Sequence, residues 1–83
     1  MYRLIISPQA QKQLKTIKIA YQHAVKLALE DIKEDPTLGK PLLRELAERL
    51  SYRVGIYRII YKVNEKDKII YILTAGHRAT VYQ

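Results

Sequence analysis

The stretch Ser51-Tyr52-Arg53-Val54-Gly55-Ile56-Tyr57-Arg58-Ile59-Ile60-Tyr61 constrains this chain more than any other. Branched and aromatic residues run on both sides of Gly55-Ile56, the pattern of two strands joined by a tight turn. A two-residue loop of type II′ takes glycine at its first central position, because the backbone there needs positive φ. With Gly55 in that place, Val54 pairs with Tyr57, and Arg53 stands directly opposite Arg58 on one face of the sheet. Cross-strand neighbours lie about 5 Å apart, and like charges so placed repel. Two adjacent guanidiniums with no acid in the stretch suit an anion supplied from outside, and phosphate matches their planar fork. The alternative is a pair of solvated strand residues splayed apart.

The 83 residues leave room for one domain, 1–83, with a modest core, and the 48% hydrophobic fraction suits a folded chain. All seven aromatic residues are tyrosines, so every ring carries a hydroxyl that can reach a polar surface. The absence of cysteine excludes disulfides and thiolate metal sites, and fits a reducing compartment. A formal charge of +7, spread over both halves, attracts polyanions and acidic proteins. No apolar run reaches the about 18 residues a bilayer span needs, and Met1–Ile6 lacks the features of a signal peptide. A cytoplasmic protein with no membrane partner is expected.

Tyr2-Arg3-Leu4-Ile5-Ile6 reads as a first strand. Ser7-Pro8 then supplies a hydroxyl N-cap and a proline at the first helical position. Ala10, Leu14, Ile17, Tyr21, Ala24, Ala28 and Ile32 recur at helical spacing, widened by Val25 and Leu29, with lysines on the opposite face. Thr16–Ala20 is the weakest helical stretch, and a helical hairpin broken near Ile19 is expected. A single helix would run about 40 Å, too long for so small a core. Pro36 ends the helical region behind the acidic cluster Glu30, Asp31, Glu34 and Asp35, which reads as a solvated turn or a dock for one of the protein's own lysines. Leu42–Leu50 is a connector with Leu43, Leu46 and Leu50 turned inward.

The second hairpin strand alternates Tyr57, Ile59, Tyr61 and Val63 against Arg58, Ile60 and Lys62, apolar on both faces as in a central strand. Asn64–Asp67 is a turn, Lys68–Thr74 another strand, and Gly76 a bulge or bend. The expected fold is α+β: a mainly antiparallel sheet of about four strands, with the N-terminal helical hairpin packed on one face. The other face is left for a substrate or partner.

The run from Tyr52 to Tyr61, then Gly76-His77-Arg78, then Val81-Tyr82, resembles the RelE/ParE toxin superfamily, in particular its RelE-like branch. The short first strand, the Ser-Pro helix start and Asp35-Pro36-Thr37-Leu38-Gly39 extend the likeness over nearly the whole chain. The resemblance implies the toxin of a type II toxin–antitoxin pair, an endoribonuclease that cuts mRNA in the ribosomal A site. An acidic antitoxin would neutralise it. It places Arg58, Arg78 and Tyr82 on catalytic positions, and Arg53 on a basic position that is lysine in well-known members. A further basic position two residues upstream is here Ser51.

Metal-independent RNA cleavage by the substrate's own 2′-OH requires stabilised phosphate charge and an aligned attacker. Arginine does not deprotonate in the working range, so Arg53, Arg58 and Arg78 are candidate clamps on the scissile phosphate. Tyr82 either stacks on an unpaired base or caps the core with its ring, and the resemblance favours the first. His77 belongs to the residue type that moves protons near neutrality. Next to Arg78 in a strand, it points to the opposite face, which favours a substrate-contact or structural role. Lys62, on the Arg58 face of its strand, and Lys15, on the basic side of the helices, are candidate substrate-binding cations, the latter for ribosomal RNA. Two histidines and no acid beside the arginines make a poor metal site, so neither metal nor cofactor is expected. Two alternatives stay open: a ParE-like gyrase poison that cuts no RNA, and an attenuated toxin acting in an antitoxin-bound repressor complex.

Overall fold

A computed structural model describes residues 1–42 and 48–77. In chain order it contains β1 (Arg3–Ile6), α1 (Pro8–Lys15), α2 (Ile19–Glu34), a 3-10 turn (Pro36–Leu38), β2 (Lys40–Pro41), β3 (Leu50–Val54), β4 (Tyr57–Asn64) and β5 (Ile69–His77). The strands form one five-stranded sheet in the order β1-β5-β4-β3-β2. Only the β1–β5 pair is parallel; the other three pairs are antiparallel. The strand beyond the expected four is β2. Two residues are too few to show alternation, and Pro41 is tolerated there because β2 is an edge.

The helical hairpin breaks where expected. Ser7 Oγ accepts from the Ala10 amide at 3.0 Å to start α1 and donates to the Leu73 carbonyl at 2.9 Å, tying the helix to β5. Thr16 closes α1, its hydroxyl donating to Gln13 O at 2.8 Å, and Ile17 drops into the core. The Tyr57 hydroxyl accepts from the Lys18 amide at 3.0 Å, so a sheet tyrosine satisfies a donor at the entry to α2, which has no side-chain cap. This restart resets the helical phase. The buried stripe of α2 is therefore Val25, Ala28, Leu29 and Ile32, and Ala24, expected in the stripe, is exposed.

Both helices cover the same sheet face. Ala10, Ile17, Val25, Leu29 and Ile32 pack with Tyr57, Ile59, Tyr61, Ile70, Ile72 and Ala75 in one cluster. The strand alternation puts all six sheet residues on that side. β4 is the middle strand, and Tyr57 through Tyr61 are buried on both of its faces. The ladder irregularity falls between Ile60 and Tyr61, where β5 steps from Thr74 to Ile72 and Leu73 is the extra residue. Gly76, expected as the bulge, is in regular register opposite Arg58. Leu50 lies half-buried on β3 against the core, while Leu43 and Leu46 fall outside the described residues. No helix among the described residues is long and apolar enough to cross a membrane.

Candidate active site

The β3–β4 hairpin has the register that Gly55 dictates. Gly55 adopts φ 59°, Ile56 is not in the left-handed region, Val54 pairs with Tyr57, and Arg53 pairs with Arg58. Positive φ at the first central residue alone is the type II′ signature. Tyr21 of α2 closes over this turn, its ring 5.3 Å from that of Tyr57 in an edge-on arrangement. The turn is thus pinned from the helix side, and the arginine pair faces the other way.

On that other face lies a cleft of ≈ 650 Å³ whose lining includes Lys40, Ser51, Tyr52, Arg53 and Arg58. Arg53 is exposed at its rim, whereas Arg58 is only 9% exposed. Arg58 was expected on an uncovered patch and is instead largely enclosed, in the buried first half of the central strand. None of the described residues lining the cleft is acidic. The described lining brings Lys40, Arg53 and Arg58 together, an arrangement suited to a phosphodiester.

Lys40 has no signal in the sequence beyond being a lysine before a proline. The β2–β3 pairing sets it directly opposite Ser51, on the sheet face that carries Arg53. The backbone before it is held from below. The Gly39 amide donates to the Tyr61 hydroxyl at 2.9 Å, and that hydroxyl donates to the Pro36 carbonyl at 2.6 Å. The ring of Tyr61 is fully buried. Its role as a clasp on the segment before β2 was not visible in sequence. Burial pushes the Tyr61 hydroxyl above its ordinary pKa, an effect the Gly39 amide partly offsets.

The remaining candidates are dispersed. His77 pairs with Tyr57 and contacts its ring, with centroids 6.1 Å apart, which places it on the helix side of the sheet and away from the cleft. Lys62 shares the face of Arg58 but lies further along β4. Its Nζ sits 5.8 Å from the Tyr71 ring centroid, and it lines a separate ≈ 940 Å³ depression with Glu48 and Glu65. Lys15 ends α1 and borders an apolar groove with Leu14 and Val25 on the helix side. Arg78 and Tyr82 lie outside the described residues.

A sequence model of the family described as "ParE toxin of type II toxin-antitoxin system, parDE" matches residues 4–82. Toxin RelG of Mycobacterium tuberculosis is 40% identical over 60 residues, spanning 71% of this chain and 69% of RelG. The toxin–antitoxin complex RelBE2 of the same organism includes a chain 33% identical, with a TM-score of 0.82, covering 93% of this chain and 98% of that one. Isolated Escherichia coli RelE, at 21% identity, shares the fold with a TM-score of 0.80 over 99% of this chain and 92% of its own. The chain therefore belongs to the RelE/ParE superfamily, the toxins of type II toxin–antitoxin systems.

Proposed function

We propose that this toxin is a metal-independent, ribosome-dependent endoribonuclease that cuts mRNA in the ribosomal A site. The observation that carries the reading is the Arg53–Arg58 cross-strand pair, set in a cleft with Lys40. In the reaction the substrate 2′-oxygen bonds to phosphorus and the bond from phosphorus to the 5′-oxygen breaks. The products are a 2′,3′-cyclic phosphate and a 5′-hydroxyl. Overall, one proton leaves the 2′-oxygen and one is gained by the 5′-oxygen. Arg53, Arg58 and Arg78 hold the non-bridging oxygens as their charge grows, which lowers the barrier most where water is excluded. The enclosure of Arg58 fits that role. Tyr82 stacks on a base of the codon. The ribosome supplies the alignment of the 2′-oxygen that so open a cleft does not.

A cognate acidic antitoxin is the second partner, supported by the solved toxin–antitoxin complex of the M. tuberculosis relative and by the +7 charge. The cytoplasm, where both antitoxin and ribosome occur, is the proposed site of action.

The test is brief expression followed by mapping of mRNA 5′ ends on translating ribosomes. Cuts within translated codons are expected, reduced about 10²–10³-fold in Arg58→Ala, the usual effect of deleting one charge-stabilising donor. Arg53→Ala should act in the same direction. Intact mRNA with accumulated gyrase–DNA complexes would assign the chain to the gyrase poisons, a reading that the ParE description of the matching family keeps in play. Intact mRNA without them would make it an attenuated toxin.

A further inference from the structure

Lys40 is carried on a two-residue edge strand, and strand alternation puts it, Ser51, Arg53 and Arg58 on one face of the sheet. It lies one strand across from Ser51, and Ser51 lies two residues along from Arg53. The Lys40 and Arg53 backbones are therefore about 8 Å apart from strand spacing and rise. That offset lets both side chains reach one polyanion without competing for the same oxygen. Ser51, with its short side chain, leaves the space over it to the long lysine stem.

The segment before Lys40 is locked from the opposite side of the sheet. Tyr61 bridges the Gly39 amide and the Pro36 carbonyl, and a Cβ at residue 39 would stand 2.5 Å from the Tyr61 hydroxyl oxygen. After Lys40, the Leu42 amide donates to the Arg49 carbonyl at 2.9 Å. Lys40 is exposed, yet the backbone on both sides of it is anchored, beside the strand that carries Arg53.

Resting on the nuclease reading for the identity of the substrate, we propose that Lys40 is a third substrate-binding cation. It grips the RNA phosphate next to the one held by Arg53 and Arg58, and Tyr61 positions it from beneath. Its contact is made in the ground state as well as in the transition state, so it contributes to binding more than to the chemical step. Lysine acts here as a point charge on phosphate.

The test uses the whole chain and two readouts. The first is binding of a short, uncleavable 2′-O-methyl RNA across a salt series. The second is steady-state mRNA cleavage on programmed ribosomes. Lys40→Ala should weaken RNA binding about tenfold at low salt and lower the slope of log K against log salt by about 0.7. It should raise KM with kcat near wild type. Lys40→Arg should restore binding, and Lys66→Ala, in the distant β4–β5 turn, should match the wild type. Combined with Tyr61→Phe, or with Gly39→Ala if the former does not fold, Lys40→Ala should become nearly silent. Equality of Lys40→Ala with Lys66→Ala, a loss confined to kcat, or no RNA binding by the wild type overturns the proposal, and full additivity overturns the positioning role. A wild type that binds RNA through Lys40 but cuts no mRNA removes the nuclease reading and leaves the Lys40 site standing.

Discussion

Tyr61 shows how one hydroxyl can join three parts of the chain. It sits at zero exposure in the middle of β4, accepts from Gly39 and donates to Pro36. Tyr61→Phe leaves a buried amide and carbonyl unsatisfied and should cost about 1–3 kcal/mol, measured by urea unfolding. The effect carries a pH signature. Burial raises the folded-state pKa, so the native protein keeps the proton where the unfolded chain releases it. The hydroxyl's contribution is complete below the unfolded value of about 10 and declines as pH rises from there toward the folded value. The stability gap between wild type and Tyr61→Phe should hold at pH ~7 to ~9 and narrow above pH ~10; a gap that widens with alkalinity would contradict the assignment.

Among the elements, the β3–β4 hairpin does most to position the cleft, and its turn is restrained twice. Gly55 has φ +59°, and a Cβ there would meet Tyr21 Cε1 at 2.8 Å. Gly55→Ala therefore meets a backbone penalty of about 1–2 kcal/mol for a left-handed alanine. It also forces a shift of a ring wedged against Tyr57. We expect a loss of about 2–4 kcal/mol in all, read as a lowered urea midpoint with unchanged slope. Since the same turn sets Arg53 against Arg58, the residual folded protein should also lose the proposed cleavage activity. A variant with full stability and full activity would show that the turn is not the register device. The helical break at Thr16–Lys18 works differently. No glycine or proline marks it; Thr16 capping and the burial of Ile17 stop α1 and re-aim α2.

At the scale of the whole molecule, the helices occupy one sheet face and the cations of the cleft the other, so the two tasks of the chain are separated by the thickness of the sheet. The +7 charge then acts as a field on any acidic partner. Association with an acidic antitoxin should be steered: raising salt from about 50 to about 500 mM should slow kon by an order of magnitude or more. The dissociation rate should change much less. Stopped-flow binding measures both, and a salt-independent kon would remove charge as the recognition term.

Residues close in sequence determined a good part of this protein by themselves. Gly55 followed by Ile56 met the backbone requirement of a type II′ loop, and period-two alternation then set Arg53 against Arg58 and divided Tyr57, Ile59 and Tyr61 from Arg58 and Ile60. Ser7-Pro8 likewise started α1 through hydrogen bonds made within one turn. What only the tertiary structure decided depends on segments far apart. β1 pairs in parallel with β5 some 66 residues away, as between Arg3 and Ile69; Lys40 comes beside Ser51 through a two-residue strand too short to leave a pattern; and Tyr61 clasps Gly39 across 22 positions. Such contacts are selected by which surfaces pack together; the apolar residues on both faces of Tyr57–Val63 marked a central strand, but the enclosure of Arg58 on it follows from the packing.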